Sequence, residues 1–182
     1  MDYVAIGCGV LLAVIFAVSA VGKARSAATF TAFADSLGDM RLVGRRWRRP
    51  VAGAVIAAEA GLVGLLAVPG GAPFAFAAAV ALLVLFATAI AVTVRRGVRA
   101  PCLCFGARTA RPLDRVHVVR NLVLAGVGGL GLVAVTVPST GGVQPAGAAL
   151  AAAAAAVVAA VVLRLDDVVD LFRPYPSLRQ ER

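Results

Sequence analysis

Acidic residues are scarce in this chain, and so are cysteine and histidine. Nine Asp and Glu stand against eighteen Lys and Arg; charged residues total 15% and hydrophobic ones 61%. A soluble domain sits near half apolar and a quarter charged, so too little polar surface remains here to build an aqueous face. Three cysteines exclude a disulfide-rich scaffold. The single histidine, His117, speaks against a metal centre, because zinc usually takes four ligands. Polar residues inside the apolar runs are too few to line a transport pathway. A net charge of +9 would suggest nucleic acid in a soluble protein. The basic residues lie in the connections between apolar blocks, where they set membrane orientation instead. The expected partner is therefore the lipid bilayer and not nucleic acid.

What the chain has in quantity is apolar sequence in blocks of bilayer length, roughly 20 residues each. The fold class these blocks predict is all-α, an integral membrane helical bundle. Spans are expected at about 3–22, 51–68, 74–94 and 118–137, with a fifth at 147–165. The fifth is rich in alanine, which contributes little to insertion, so its Val and Leu must carry it. In the first block Val18-Ser19-Ala20 resembles a signal-peptide cleavage site. Asp2 occupies the place of a positive n-region, however, and the basic residues follow the block, so it reads as a retained helix. In the long connection after it, Ser26 can cap a short helix in which Phe30, Phe33, Ala34 and Leu37 recur at helical spacing, with Gly38 to end it. That helix can lie in the membrane interface or pack on the bundle. Pro69-Gly70-Gly71-Ala72-Pro73 reads as a tight turn. Residues 1–145 form the expected membrane core, and 146–182 the fifth span with a solvated tail.

The two Pro/Gly-rich links, 69–73 and 138–145, carry no Lys or Arg. All basic residues fall in or beside the other two connections or the tail. The positive-inside rule then puts the N-terminus outside and the C-terminus in the cytoplasm. Five spans satisfy this arrangement. The bias toward Ala, Val, Gly and Arg fits a GC-rich bacterial genome, so the expected location is a bacterial inner membrane.

The chemistry concentrates in Ala100-Pro101-Cys102-Leu103-Cys104-Phe105-Gly106. Two thiols one residue apart can close a small strained ring, more easily reduced than a relaxed bridge. Such a dithiol suits passing oxidising equivalents on. Pro101 and Gly106 bracket it, and Arg95, Arg96, Arg99 and Arg108 would favour thiolate. The alternative is a pair of thiols kept reduced in a loop. Cys8, at the opposite end of the first span, reads as a packed apolar residue. Glu59 is an ionisable group at bilayer depth and therefore needs a buried partner. Arg120 and Asn121, at the start of the fourth span, are the first candidates, and Lys23 is another.

The motif Cys102-Leu103-Cys104-Phe105-Gly106, followed by Val119-Arg120-Asn121-Leu122-Val123-Leu124, resembles the methylamine-utilisation MauE family of DoxX-like membrane proteins. Val18-Ser19-Ala20-Val21-Gly22-Lys23 and Glu59 fit it as well, over about residues 5–137. Leu103 stands where the family pattern leads one to expect Gly. The resemblance implies a four-helix membrane core. It also implies a role in maturation, processing or transport of the disulfide-rich methylamine dehydrogenase small subunit. On that reading Cys102 and Cys104 are the exchanging dithiol, supported by Glu59, Arg120, Asn121, Lys23 and Gly106. A quinone is a conceivable electron acceptor by analogy with vitamin K epoxide reductase, and a thioredoxin-like protein a conceivable exchange partner. A non-catalytic scaffold or export component with incidental cysteines is the rival. Disulfide formation is periplasmic work, yet the charge rule sets the motif at the cytoplasmic edge. Either its connection reaches across the bundle, or the protein carries reducing equivalents from the inside, or the topology is inverted, against which the distribution of basic residues argues strongly.

Overall fold

The structure is a computed structural model that describes residues 1–98, 101–102, 111–112, 115–138 and 142–171, of which 101–102, 111–112 and 165–171 are described by backbone alone. The elements in chain order are α1 (Asp2–Ala24), α2 (Ala27–Asp39), α3 (Arg48–Ala67), α4 (Ala72–Arg95), β1 (Pro101–Cys102), β2 (Arg111–Pro112), α5 (Arg115–Thr136) and α6 (Pro145–Leu171). A single 3-10 turn, Arg45–Trp47, leads into α3. Among the described residues five helices, all but α2, are long and apolar enough to cross a membrane. The expected all-α membrane bundle with its fifth helix is therefore the observed fold. Among the described residues, the cysteine segment adds a two-residue antiparallel pairing, Pro101 with Pro112 and Cys102 with Arg111.

In lipid, helices gain nothing by hiding apolar groups from one another, so packing depends on close approach. The α4–α5 interface achieves this with small residues. Its α4 side is the stripe Phe76, Ala79, Leu83, Ala87, Ile90, at steps of three and four, with Ala75 beside it. Facing it on α5 are Leu124, Ala125, Gly128, Gly131 and Ala134. A Cβ at Gly131 would run into the Phe76 ring, and one at Gly128 would lie 2.9 Å from Val80 Cγ2. Helix α1 is the hub, packed on α3, α5 and α6. Its buried stripe is Leu11, Leu12, Ile15, Phe16, Ser19, Ala20, Lys23. This face is apolar toward the N-terminal end and polar in its last two turns. Helix α6 lies on α1 through Ala155 and Ala159. At its entrance the Gln144 backbone N–H donates to Tyr3 Oη at 3.0 Å.

Ser26 caps α2 as expected: its Oγ accepts from the Thr29 N–H, and the Thr29 hydroxyl accepts from the Ser26 N–H, both at 3.1 Å. The apolar face of α2 is turned onto the bundle, with Phe33 and Ala34 against Ala52 of α3. Gly38 does not end the helix. It lies inside the last turn, where a Cβ would collide with the Arg48 guanidinium, and the chain leaves the helix through Arg41 in the left-handed region at φ 55°. Helices α3 and α5 each begin three residues earlier than the apolar runs suggest. Arg48 and Arg49 enter the first turn of α3 with Pro50, which is tolerated there because first-turn N–H groups have no helical partner.

Candidate functional site

Two features occupy the end of the bundle where α1, α4 and the basic connections meet. The first is a buried polar layer. Lys23 Nζ donates to Glu59 Oε1 at 2.5 Å and to Ser19 Oγ at 2.7 Å. Ser19 Oγ donates to the same carboxylate oxygen at 3.0 Å. Lys23 and Glu59 are each 1% exposed. The ammonium also lies 4.9 Å from the Phe33 ring centroid and 5.9 Å from that of Phe86, so aromatic faces replace part of its lost hydration. Three helices and α2 thus converge on one lysine.

Lys23, and not Arg120, is therefore the partner of Glu59, and no hydrogen bond or ion pair joins Glu59 to Arg120. The cause is helix order: α3 packs on α1, α2 and α4, whereas α5 packs on α4 and α1. Arg120 is nonetheless buried, with His117 and Asn121, on the inward face of α5. Asn121 Nδ2 donates to the His117 carbonyl at 2.8 Å. The Asn121 Oδ1 and Glu59 Oε2 atoms are enclosed without a hydrogen-bond partner among the described residues. Register brings the two sets together. Gly9 lies beside Leu66, and Gly128 beside Leu12. Following those antiparallel pairings along α1 carries Ser19 to the level of both Glu59 and Asn121.

Sequence reading passed over Ser19 as part of a cleavage-site lookalike, and did not mark Phe33, Phe86 or Thr93 for this layer. The four-residue step from Ser19 to Lys23, continuing the stripe of Leu12 and Phe16, is the signal that could have found the first. Thr93 is fully buried and spends its hydroxyl on the Ala89 carbonyl.

The second feature is the cysteine connection. Cys102 lies in β1, paired with Arg111, and β1 lies against α2. Cys104 and Gly106 are outside the described residues. Cys8 is a free thiol packed beside the apolar core near the other end of α1. An apolar cleft of about 450 Å³, lined by Gly9, Val63, Leu66 and Phe76 among others, also opens at that far end. Gly9 is fifteen residues from Ala24, roughly 22 Å along the helix. A quinone ring held in this cleft would be out of reach of a thiol beside α2.

No curated protein and no solved structure matches the chain. The family described as methylamine utilisation protein MauE matches residues 1–134, from the start of α1 to the last turn of α5. The polar layer, β1 and β2 all fall within that match, and the chain belongs to the MauE family of membrane proteins linked to methylamine utilisation.

Proposed function

We propose that the protein is a membrane-embedded thiol-redox factor for the maturation of a disulfide-rich partner protein, with Cys102 and Cys104 as the exchanging pair. The observation that carries this reading is the setting of Cys102. It occupies a short paired strand in the connection between α4 and α5, inside the family match. In the forward step a thiolate of the partner attacks the Cys102–Cys104 disulfide and forms a mixed disulfide. A second partner thiol resolves it, leaving the partner with one new bridge and this chain with two thiols. Two electrons and two protons pass to the Cys102–Cys104 pair. Renewal needs an acceptor. A thioredoxin-like protein in its disulfide form suits a strand in a connection between spans, whereas the far apolar cleft does not bring a quinone to it. Buried Lys23 and Glu59 tie α1 to α3, and buried Arg120 and Asn121 lie in the second turn of α5, the helix to which the connection leads. The proposed setting is a bacterial inner membrane with the basic connections in the cytoplasm.

Thiol trapping in intact cells tests this. A membrane-permeant maleimide, applied to acid-quenched cells with and without prior reduction, should reveal a Cys102–Cys104 bridge that turns over with partner expression. Cys102→Ser should leave the protein inserted and its partner short of disulfides. Thiols that stay reduced in every condition, together with normal partner disulfides in that variant, would defeat the relay and favour a scaffold.

A further inference from the structure

A cavity of about 660 Å³ opens between the end of α2, the start of α3 and the end of α4. Three arginines line it, Arg41, Arg48 and Arg96, with Asp39 as the one carboxylate. They come from three separate segments, so the fold and not a local run of sequence gathers them. Like charges repel, and little among the described residues offsets them. Arg48 reaches Asp35 only at 3.9 Å, and neither Arg41 nor Arg96 has an ion pair among the described residues. The Arg48 Nε atom is enclosed without a hydrogen-bond partner among those residues.

The backbone accommodates this cluster at some cost. Gly38 has no side chain where the Arg48 guanidinium lies flush against it. Arg41 holds a left-handed conformation at φ 55°, unfavourable for a residue with a Cβ, and Gly97 turns the chain after α4 at φ 68°. Attraction of cations to the carbonyl ends of α2 and α4 would account for Arg41 and Arg96. It does not account for Arg48, which opens α3 at an end that itself favours an anion.

Depth identifies the anion. Trp47, next to Arg48, is exposed with Arg46 over its ring at 5.6 Å. An exposed tryptophan at the start of a spanning helix marks the membrane–water interface. The cavity therefore lies at headgroup level, where guanidinium forks meet phosphate oxygens. We propose that it binds the phosphodiester headgroup of an anionic phospholipid from the leaflet facing the basic connections. This site is independent of the cysteine pair.

Trp47 is the only tryptophan and so reports on its own surroundings. The full chain, reconstituted in phosphatidylcholine bilayers, would be titrated with brominated phosphatidylglycerol and, separately, brominated phosphatidylcholine, following Trp47 quenching. Brominated phosphatidylglycerol should quench at several-fold lower mole fraction. Arg41→Gln and Arg96→Gln should each reduce that preference about five-fold. Arg45→Gln, exposed beside Trp47 but outside the cavity and equal in charge change, should leave it nearly intact. Equal quenching by the two lipids in the wild type overturns the proposal, and needs no variant to fold. An equal loss in Arg45→Gln also overturns it, because diffuse surface attraction then suffices. Abolition of the preference by millimolar inorganic phosphate would instead assign the cavity to a free anion.

Discussion

Lys23→Met should be among the most damaging single changes in the bundle, and Glu59→Leu in the same chain should repair most of it. In the wild type the Glu59 carboxylate is 1% exposed and accepts from Lys23 and Ser19 through one oxygen only. Its other oxygen has no hydrogen-bond partner among the described residues. Removing the ammonium leaves a buried carboxylate with a single hydroxyl donor. Breaking a buried ion pair in this way costs about 3–5 kcal/mol. The apolar double variant strands no charge and should lie within about 1–2 kcal/mol of wild type, because well-packed apolar replacements of buried pairs are often near neutral. Each single variant strands the other charge, so the two costs should not add, and a coupling of about 4 kcal/mol or more is expected. Equilibrium unfolding of the purified protein in mixed micelles, by stepwise denaturing detergent, reads each value. Single costs below about 1 kcal/mol, or strictly additive ones, would refute the pairing. Stronger coupling of Glu59 to Arg120 than to Lys23, measured with Arg120→Gln, would refute the assignment of partner.

Gly131→Ala should cost about 1–3 kcal/mol in the same assay, because its Cβ runs into the Phe76 ring. Phe76→Leu introduced alongside should reduce that penalty. Ser26→Ala removes the reciprocal cap of α2 and should destabilise that helix by about 1 kcal/mol, seen as faster amide exchange over Thr29 to Phe33. Tyr3→Phe deletes the acceptor of the Gln144 N–H. It should loosen the first turn of α6 by about 0.5–1.5 kcal/mol, again by hydrogen exchange, while α4 and α5 stay protected.

The spans were legible because each is a run of apolar residues of bilayer length, and that property needs no tertiary information. The cap of α2 was legible for the same reason: Ser26 and Thr29 act within four residues. Partner choice was not. Glu59 demanded a partner, but Lys23 and Arg120 are equally plausible until helix order sets α3 against α1 and away from α5. Gly38 misled because glycine has two uses, and only the approach of Arg48 from ten residues on shows which one applies. The arginine cavity was invisible since its members lie at 41, 48 and 96, each in a basic stretch that orientation alone explains.

Burial of Lys23 also changes what the basic residues say about sidedness. A lysine neutralised by Glu59 contributes nothing to the surface charge that orients the chain, so the first connection is carried by Arg25 and the five arginines from Arg41 to Arg49. The imbalance between the two ends survives this correction, because both neutral links still have no Lys or Arg. β1 lies against α2, within that basic end. Beyond Glu59 the inner faces toward the other end are apolar, with Leu12, Phe76 and Gly131 in contact. Cys8, the described thiol at that end, is sixteen residues from Ala24 along α1, roughly 24 Å. Thiol exchange needs sulfur-to-sulfur contact, and these residues supply no relay across such a gap. On the proposed reading, electrons therefore enter and leave the Cys102–Cys104 pair on the side of the basic connections, and any effect on a partner's disulfides across the membrane must be delivered by a second protein.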